Sequence, residues 1–124
     1  MIDFQNASYL KLGRIDYSQV AAQIDPLLIE GERGYVAFKG MRDYMVFTSK
    51  RIIAVNIQGI TGKKKDYTSL PFSRVQAFSL ETAGTFDLDA ELELWFSGLG
   101  RVKFEFKGNT DVAHLNKLIA HHVL

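Results

Sequence analysis

The spacing of apolar side chains changes twice along this chain, returning to a helical period from Asn109, and the first change dictates the fold class. Up to Glu30-Gly31-Glu32 the strong pattern repeats near every 3.6 residues, whereas beyond it the repeat is two, in β-branched and aromatic runs divided by turn residues. Seven such runs fall at about 33–39, 43–48, 51–57, 64–69, 73–82, 90–97 and 101–107. The links Gly40-Met41-Arg42, Ser49-Lys50, 58–63 and Gly98-Leu99-Gly100 are too short for the crossovers that parallel neighbours need, so the expected sheet is an antiparallel meander. With 124 residues, 47% of them hydrophobic, one core suffices. The expected organisation is a single domain over 17–124, preceded by a segment, 1–16, of unassigned structure.

Helical signals flank the strands. Asp16 can cap a helix beginning near Tyr17, Gln19 follows three residues on, and Ile15 and Val20 are spaced as a hydrophobic staple. Val20, Ile24, Leu27 and Leu28 form a stripe, which Pro26 interrupts, so this helix is expected to end near Asp25. At the other end Asn109 or Thr110 can cap, Asp111 suits the positive helix terminus, and Val112, Leu115, Leu118, Ile119, His122 and Val123 make one apolar face. This helix can cover an open end of a bent sheet. Ile2, Phe4, Tyr9, Leu10 and Leu12 show no period and are left to pack on the core or on a neighbouring subunit.

In the last two strands Leu92, Leu94 and Phe96 alternate with Glu91, Glu93 and Trp95, and Val102, Phe104 and Phe106 alternate with Arg101, Lys103, Glu105 and Lys107. The expected register sets Phe96 opposite Val102 and Leu94 opposite Phe104, with Gly98-Leu99-Gly100 as the loop and Gly100 left-handed. On the outer face that places Glu91 across from Lys107, Trp95 across from Lys103 and Glu93 across from Glu105.

Charge excludes several classes of partner. Fifteen Lys and Arg against fourteen Asp and Glu leave +1, which gives no global attraction to nucleic acid or anionic lipid. No cysteine is present, so disulfide frameworks, thiolate catalysis and Cys-ligated metals are excluded, in keeping with a reducing cytoplasm. The start Met-Ile-Asp-Phe has no leader pattern, and no apolar run approaches the roughly 18 residues of a bilayer span, so a soluble, unexported protein is expected.

Seven antiparallel strands followed by one capping helix is the order of elements in pleckstrin-homology-like domains. The narrower match lies in Arg42-Asp43-Tyr44-Met45-Val46-Phe47-Thr48-Ser49-Lys50-Arg51, Gln58-Gly59-Ile60-Thr61-Gly62-Lys63-Lys64, Glu81-Thr82-Ala83-Gly84-Thr85-Phe86-Asp87-Leu88-Asp89-Ala90-Glu91-Leu92 and the final amphipathic helix. On these segments, which span residues 17–124 in order, the chain resembles the bacterial pleckstrin-homology domain family. The resemblance implies a mainly β fold, a bent seven-stranded antiparallel barrel capped by a C-terminal helix, here with an added N-terminal helix. It also implies a cytoplasmic domain that forms a homo-oligomeric ring, thought to be pentameric, without an established activity or ligand. Fold does not confer function.

The candidate sites therefore rest on the residues. Gly59-Ile60-Thr61-Gly62-Lys63-Lys64-Lys65 departs from a phosphate loop: Lys64 stands in the Ser/Thr place, the glycine spacing is short, and a strand follows where a helix is required. Lys50, Arg51, Lys63, Lys64 and Lys65 form a candidate anion-binding set if their loops share one end of the barrel, although adjacent loops of a meander fall on opposite ends. The first hairpin loop, where animal pleckstrin-homology domains gather basic residues for phosphoinositides, supplies only Lys39 and Arg42.

Asp87, Asp89, Glu91 and Glu93 align on one strand face. Calcium needs six to eight converging oxygens, whereas alternate strand residues spread by roughly 6.5 to 7 Å, so these acids suit a solvent-facing edge or a charged subunit interface better than a metal site. Trp95, among Glu91, Glu93 and Lys103, is the expected aromatic anchor of that interface unless segment 1–14 or the first helix covers it. His114 and His121 share a helix face but lie about 10.5 Å apart along the axis, too far for one metal. His122 reads as a packing residue and His121 as an exposed one. Neither a Ser/His/Asp set nor paired acid and base groups can be identified, so no catalytic residue, metal or cofactor is assigned. The expected function is that of a non-enzymatic interaction and assembly module whose partner is a copy of itself, with room for another protein partner. The alternative is peripheral binding of anionic lipid or phosphate through the lysine loop.

Overall fold

The computed structural model describes residues 1–4, 9, 11–85, 88–108 and 110–124. Among the described residues eight strands form two antiparallel sheets. The first contains, in spatial order, β1 (Gly13–Ile15), β2 (Gly34–Lys39), β3 (Tyr44–Thr48), β4 (Arg51–Gln58) and β5 (Lys64–Pro71); the second contains β6 (Val75–Glu81), β7 (Ala90–Phe96) and β8 (Gly100–Phe106). All seven expected strands are present, each within two residues of its expected ends. The 73–82 run starts later than expected because Phe72–Arg74 form a 3-10 turn that buries Phe72. β1 is an addition, too short to show a period in the sequence.

Every residue of β3 is buried. Met45 and Phe47 face the interior between the sheets, where they join Phe38, Ile52, Leu92, Phe104 and Phe106. Tyr44 and Val46 face outward into a second cluster with Ala37, Ile53 and Val55, closed by Val20 and Ile24. The N-terminal helix thus has a definite task, to cover the back of the five-stranded sheet. It is broken into a 3-10 turn (Tyr17–Gln19), α1 (Ala21–Ile24) and a second 3-10 turn (Asp25–Leu27) that contains Pro26. Asp16 accepts a hydrogen bond from the Ser18 amide, as its position predicts, and Tyr17 donates to Asp25 at 2.7 Å. Gly34 lies directly beneath the Tyr17 ring, where any Cβ would collide.

The N-terminal residues carry core positions that a sequence period does not reveal. Ile2, Tyr9 and Leu12 are buried in the main interior. Met1 pairs with Asp66 on β5, whereas Tyr9 and Leu12 bond to β8: the Glu105 amide donates to Tyr9 O, the Leu12 amide to Glu105 O, and the Lys107 amide to Leu12 O, each at 2.9 Å. Leu12 forms a parallel bridge with Phe106 before the chain enters β1, so this segment joins the two sheets along one seam. On the other seam, α2 (Val112–Val123) packs on the 72–74 turn and β6 and buries Leu115 and Ile119. Its cap is Asp111, which accepts from the His114 amide at 3.1 Å, and not Thr110; Asn109 lies outside the described residues. A carboxylate there also complements the helix dipole. His122 stacks on Phe72 and on Tyr35, at ring separations of 5.7 and 6.1 Å. Burial, then His121 and Lys50, lower its pKa, so it packs as a neutral ring.

Glu32 clasps the end of the sheet where β3 turns into β4. Arg51 donates to it from Nε and Nη2 at 2.8 and 2.9 Å, Thr48 donates at 2.6 Å, and the Glu32 side chain is 1% exposed. Burial pushes its carboxyl pKa up, but hydrogen bonds from Arg51, Thr48 and the Ile29 amide outweigh this and leave it below the ordinary value. A carboxyl made more acidic by folding contributes stability above its unfolded pKa and loses it as pH falls through the folded pKa. Glu32→Gln, which leaves Arg51 without its counter-charge, is expected to cost about 3 kcal/mol at neutral pH. It should also flatten the acid limb of the stability curve. Urea unfolding from pH 7 to 3 checks both, and parallel acid limbs in the two proteins would refute this role.

Candidate interaction surfaces

Two surfaces collect the side chains that the core leaves over. At one end of the barrel the β2–β3 and β4–β5 loops lie side by side, tied by Arg42 Nη2 donating to Gly59 O at 2.6 Å. Asp43 braces this end by accepting from the Ile57 amide at 2.9 Å and from Asn56 at 3.1 Å. The loop tips present Met41 and Ile60, both fully exposed. Exposed Lys39, Arg42, Lys63, Lys64 and Lys65 surround them, and none of these five forms an ion pair within the described residues.

Lys50 and Arg51 do not belong to this group. In the register of β4 with β5, Arg51 faces Pro71 and Gln58 faces Lys64, so the two ends of β4 are about 23 Å apart at a strand's rise. The five-residue anion-binding set is therefore divided, as the alternation of loop ends requires, and Arg51 is taken up by Glu32. Lys39 and Arg42 replace Lys50 and Arg51 beside the lysine loop. Met41 and Ile60 were the overlooked signal, two bare apolar side chains inside otherwise polar hairpin loops.

The second surface is the outer face of β6–β8. It carries Ala77, Ser79 and Glu81 from β6, Glu91, Glu93 and Trp95 from β7, and Arg101, Lys103 and Glu105 from β8. The β7–β8 register differs from the expected one. Phe96 faces Gly100, Leu94 faces Val102, Leu92 faces Phe104, Glu93 faces Lys103, Trp95 faces Arg101 and Glu91 faces Glu105. The pairing has slid by two residues, which preserves every side chain's face and changes only its neighbours. The cause is a second left-handed glycine: Gly98 (φ +85°) and Gly100 (φ +91°) both turn, so the loop takes in Ser97 and Gly100 enters the ladder. Compensation is diagonal, Lys103 to Glu91 at 3.2 Å and Arg101 to Glu93 at 3.8 Å. Asp89 pairs with Lys11 at 3.9 Å. Asp87 lies outside the described residues. Among the described residues no group of three or more His, Asp or Glu is placed to hold a metal. Trp95 is 49% exposed, because the N-terminal segment and α1 pack on other surfaces.

The family model described as "Bacterial PH domain" matches residues 3–123, nearly the whole chain. This chain belongs to the bacterial PH domain family. It is 46% identical over 103 residues to the uncharacterized protein YjqA of Bacillus subtilis (strain 168), covering 82% of each chain. Among solved structures it superimposes on a protein with a pleckstrin-homology domain from Shewanella loihica PV-4 with a TM-score of 0.81 and 40% identity, covering 93% of this chain and 99% of the other. A pleckstrin homology domain from Shewanella amazonensis SB2B gives a TM-score of 0.67 and 45% identity, over 96% and 93%. The mainly β, helix-capped architecture is thus that of this bacterial PH domain family. No helix among the described residues is long and apolar enough to cross a membrane.

The diagonal pairing can be measured. In a double-mutant cycle on Glu91→Gln and Lys103→Gln, a coupling of about 0.5 kcal/mol is expected at low salt, fading as salt rises. In the register with Trp95 opposite Lys103 the cycle would show no coupling.

Proposed function

We propose that this bacterial PH domain is a non-enzymatic assembly module that joins copies of itself head to tail into a closed ring in the cytoplasm. The observation that carries the reading is the β6 edge. Among the described residues β6 pairs with β7 on one side and has no strand partner on the other, where α2 packs against part of it, and it lies beside the half-exposed Trp95. An unpaired edge is a template for another strand, and an aromatic side chain next to it supplies a hydrophobic anchor. Because Glu91 and Glu93 are paired within the chain, charge complementarity between copies falls to the residues without an ion pair among those described, Glu81 at the end of β6 and the lysines at the start of β5. A contact between two different surfaces closes into a ring when its rotation permits. Light scattering at micromolar concentration and moderate salt is expected to give a mass several times that of the monomer. Ser79→Pro on the β6 edge and Trp95→Ala should reduce it to a monomer that keeps its β-sheet circular dichroism. A monomeric wild type would overturn the reading.

A second reading is favoured by the loop end. Two exposed apolar tips inside a basic collar suit shallow insertion at an anionic bilayer surface, with Met41 and Ile60 in the apolar boundary and Lys39, Arg42 and Lys63–Lys65 at the headgroups. Cosedimentation with phosphatidylcholine vesicles with and without phosphatidylglycerol separates the two readings. Binding to the anionic vesicles alone, weakened by Met41→Ser with Ile60→Ser and by salt, is expected from this second reading. Equal absence on both vesicle types removes it.

A further inference from the structure

We propose that the groove between α2 and the β1–β2 edge is a docking site for an extended acidic peptide segment carrying one apolar side chain. This groove is distinct from both surfaces described above. Three hollows of about 620, 500 and 600 Å³ adjoin along it, and Arg14 and Val36 line all three. Its floor is apolar, made by Val36, Leu118 and the 40% exposed ring of Tyr35.

Charge selects the occupant. Arg14, Lys107 and Lys117 line the groove with the imidazoles of His114 and His121. Among the described residues those three cations form no ion pair. The two carboxylates in the walls, Asp16 and Asp111, accept from the Ser18 and His114 amides at 2.9 and 3.1 Å and keep their charge, Asp16 close enough to Arg14 to feel it, so the three cations leave the groove with an excess of one positive charge. Lys107 is laid along Gly13, whose missing side chain leaves room for the lysine stem close to the backbone of β1.

Shape selects an extended chain. β1 ends at Ile15 opposite Ala37, so among the described residues the β2 edge at Tyr35 and Val36 has no strand partner on that side, while the Tyr17 ring covers Gly34. A bulge between Gly34 and Val36 leaves Tyr35 without a partner on β3, and its ring meets His122 of α2. An exposed strand edge offers main-chain donors and acceptors to an added strand, and the adjoining hollow can take one of its side chains. From Asp111 to His121 the wall formed by α2 runs about 15 Å, the length of roughly five extended residues.

The test uses the full chain and a fluorescein-labelled Glu-Glu-Leu-Glu-Glu peptide, with the same peptide carrying Gln in place of Glu as control. Saturable fluorescence anisotropy is expected for the acidic peptide and binding at least about tenfold weaker for the control. Amide shift changes should centre on Arg14, Tyr35, His114 and Lys117. Arg14→Glu with Lys117→Glu should abolish binding while circular dichroism stays unchanged, and Lys63→Glu at the distant loop end should leave it intact. No saturable binding, equal affinity for the control peptide, or shifts centred elsewhere would overturn the proposal. So would conversion of an oligomer to monomers by Arg14→Glu with Lys117→Glu, since the groove would then be filled by a second copy of the chain.

Discussion

Strand β3 places apolar side chains on both faces, and a strand of that kind cannot lie at a surface. Met45 and Phe47 require a second sheet on one side, and Tyr44 and Val46 require a helix on the other. Each fully buried side chain of this size is worth about 1.5 to 3 kcal/mol, so leaving either face open would consume much of the stability of a small domain. The two-sheet barrel and the placement of the 17–27 segment both follow from this demand. So does the Glu32–Arg51 clasp, which holds the connection from that segment into β2 against the β3–β4 hairpin.

Once the interior is satisfied, the openings in the barrel decide what else the chain must do. One seam, between β1 and β8, is bridged by Tyr9 and Leu12 through backbone hydrogen bonds, so the N-terminal segment contributes to the interior as well as linking the sheets. The other, between β5 and β6, is covered by the 72–74 turn and α2 with its His122, Phe72 and Tyr35 stack. What remains for recognition is what these coverings leave exposed: the β6 edge with Trp95, the basic loop end with Met41 and Ile60, and the groove beside Tyr35.

Legibility followed the range of the interactions. The strands and the C-terminal helix could be read because their signal is a local period, and Asp16 and His122 could be read because capping and a helical stripe act within one or two turns. The 1–15 segment could not, since Tyr9 and Leu12 are buried by contacts with Glu105 and Phe106 nearly a hundred positions away and need no repeat of their own. The β7–β8 register was missed by two because face alternation is the same in both registers, and only the geometry of Gly98 and Gly100 distinguishes them.

The amino-acid sequence alone determined a meander of seven strands with buried and solvent faces, two helical coverings and the family to which the chain belongs, since each depends on spacing between near neighbours. Tertiary structure alone decided which charges meet. It separated Lys50 and Arg51 from Lys63–Lys65 along the length of β4, matched Arg51 to Glu32, neutralised Glu91 and Glu93 by diagonal pairing, and gathered Arg14, Lys107 and Lys117 along one groove. Electrostatic neighbours are set by distances through space, and in a folded sheet these depend on which strand end and which face each residue occupies.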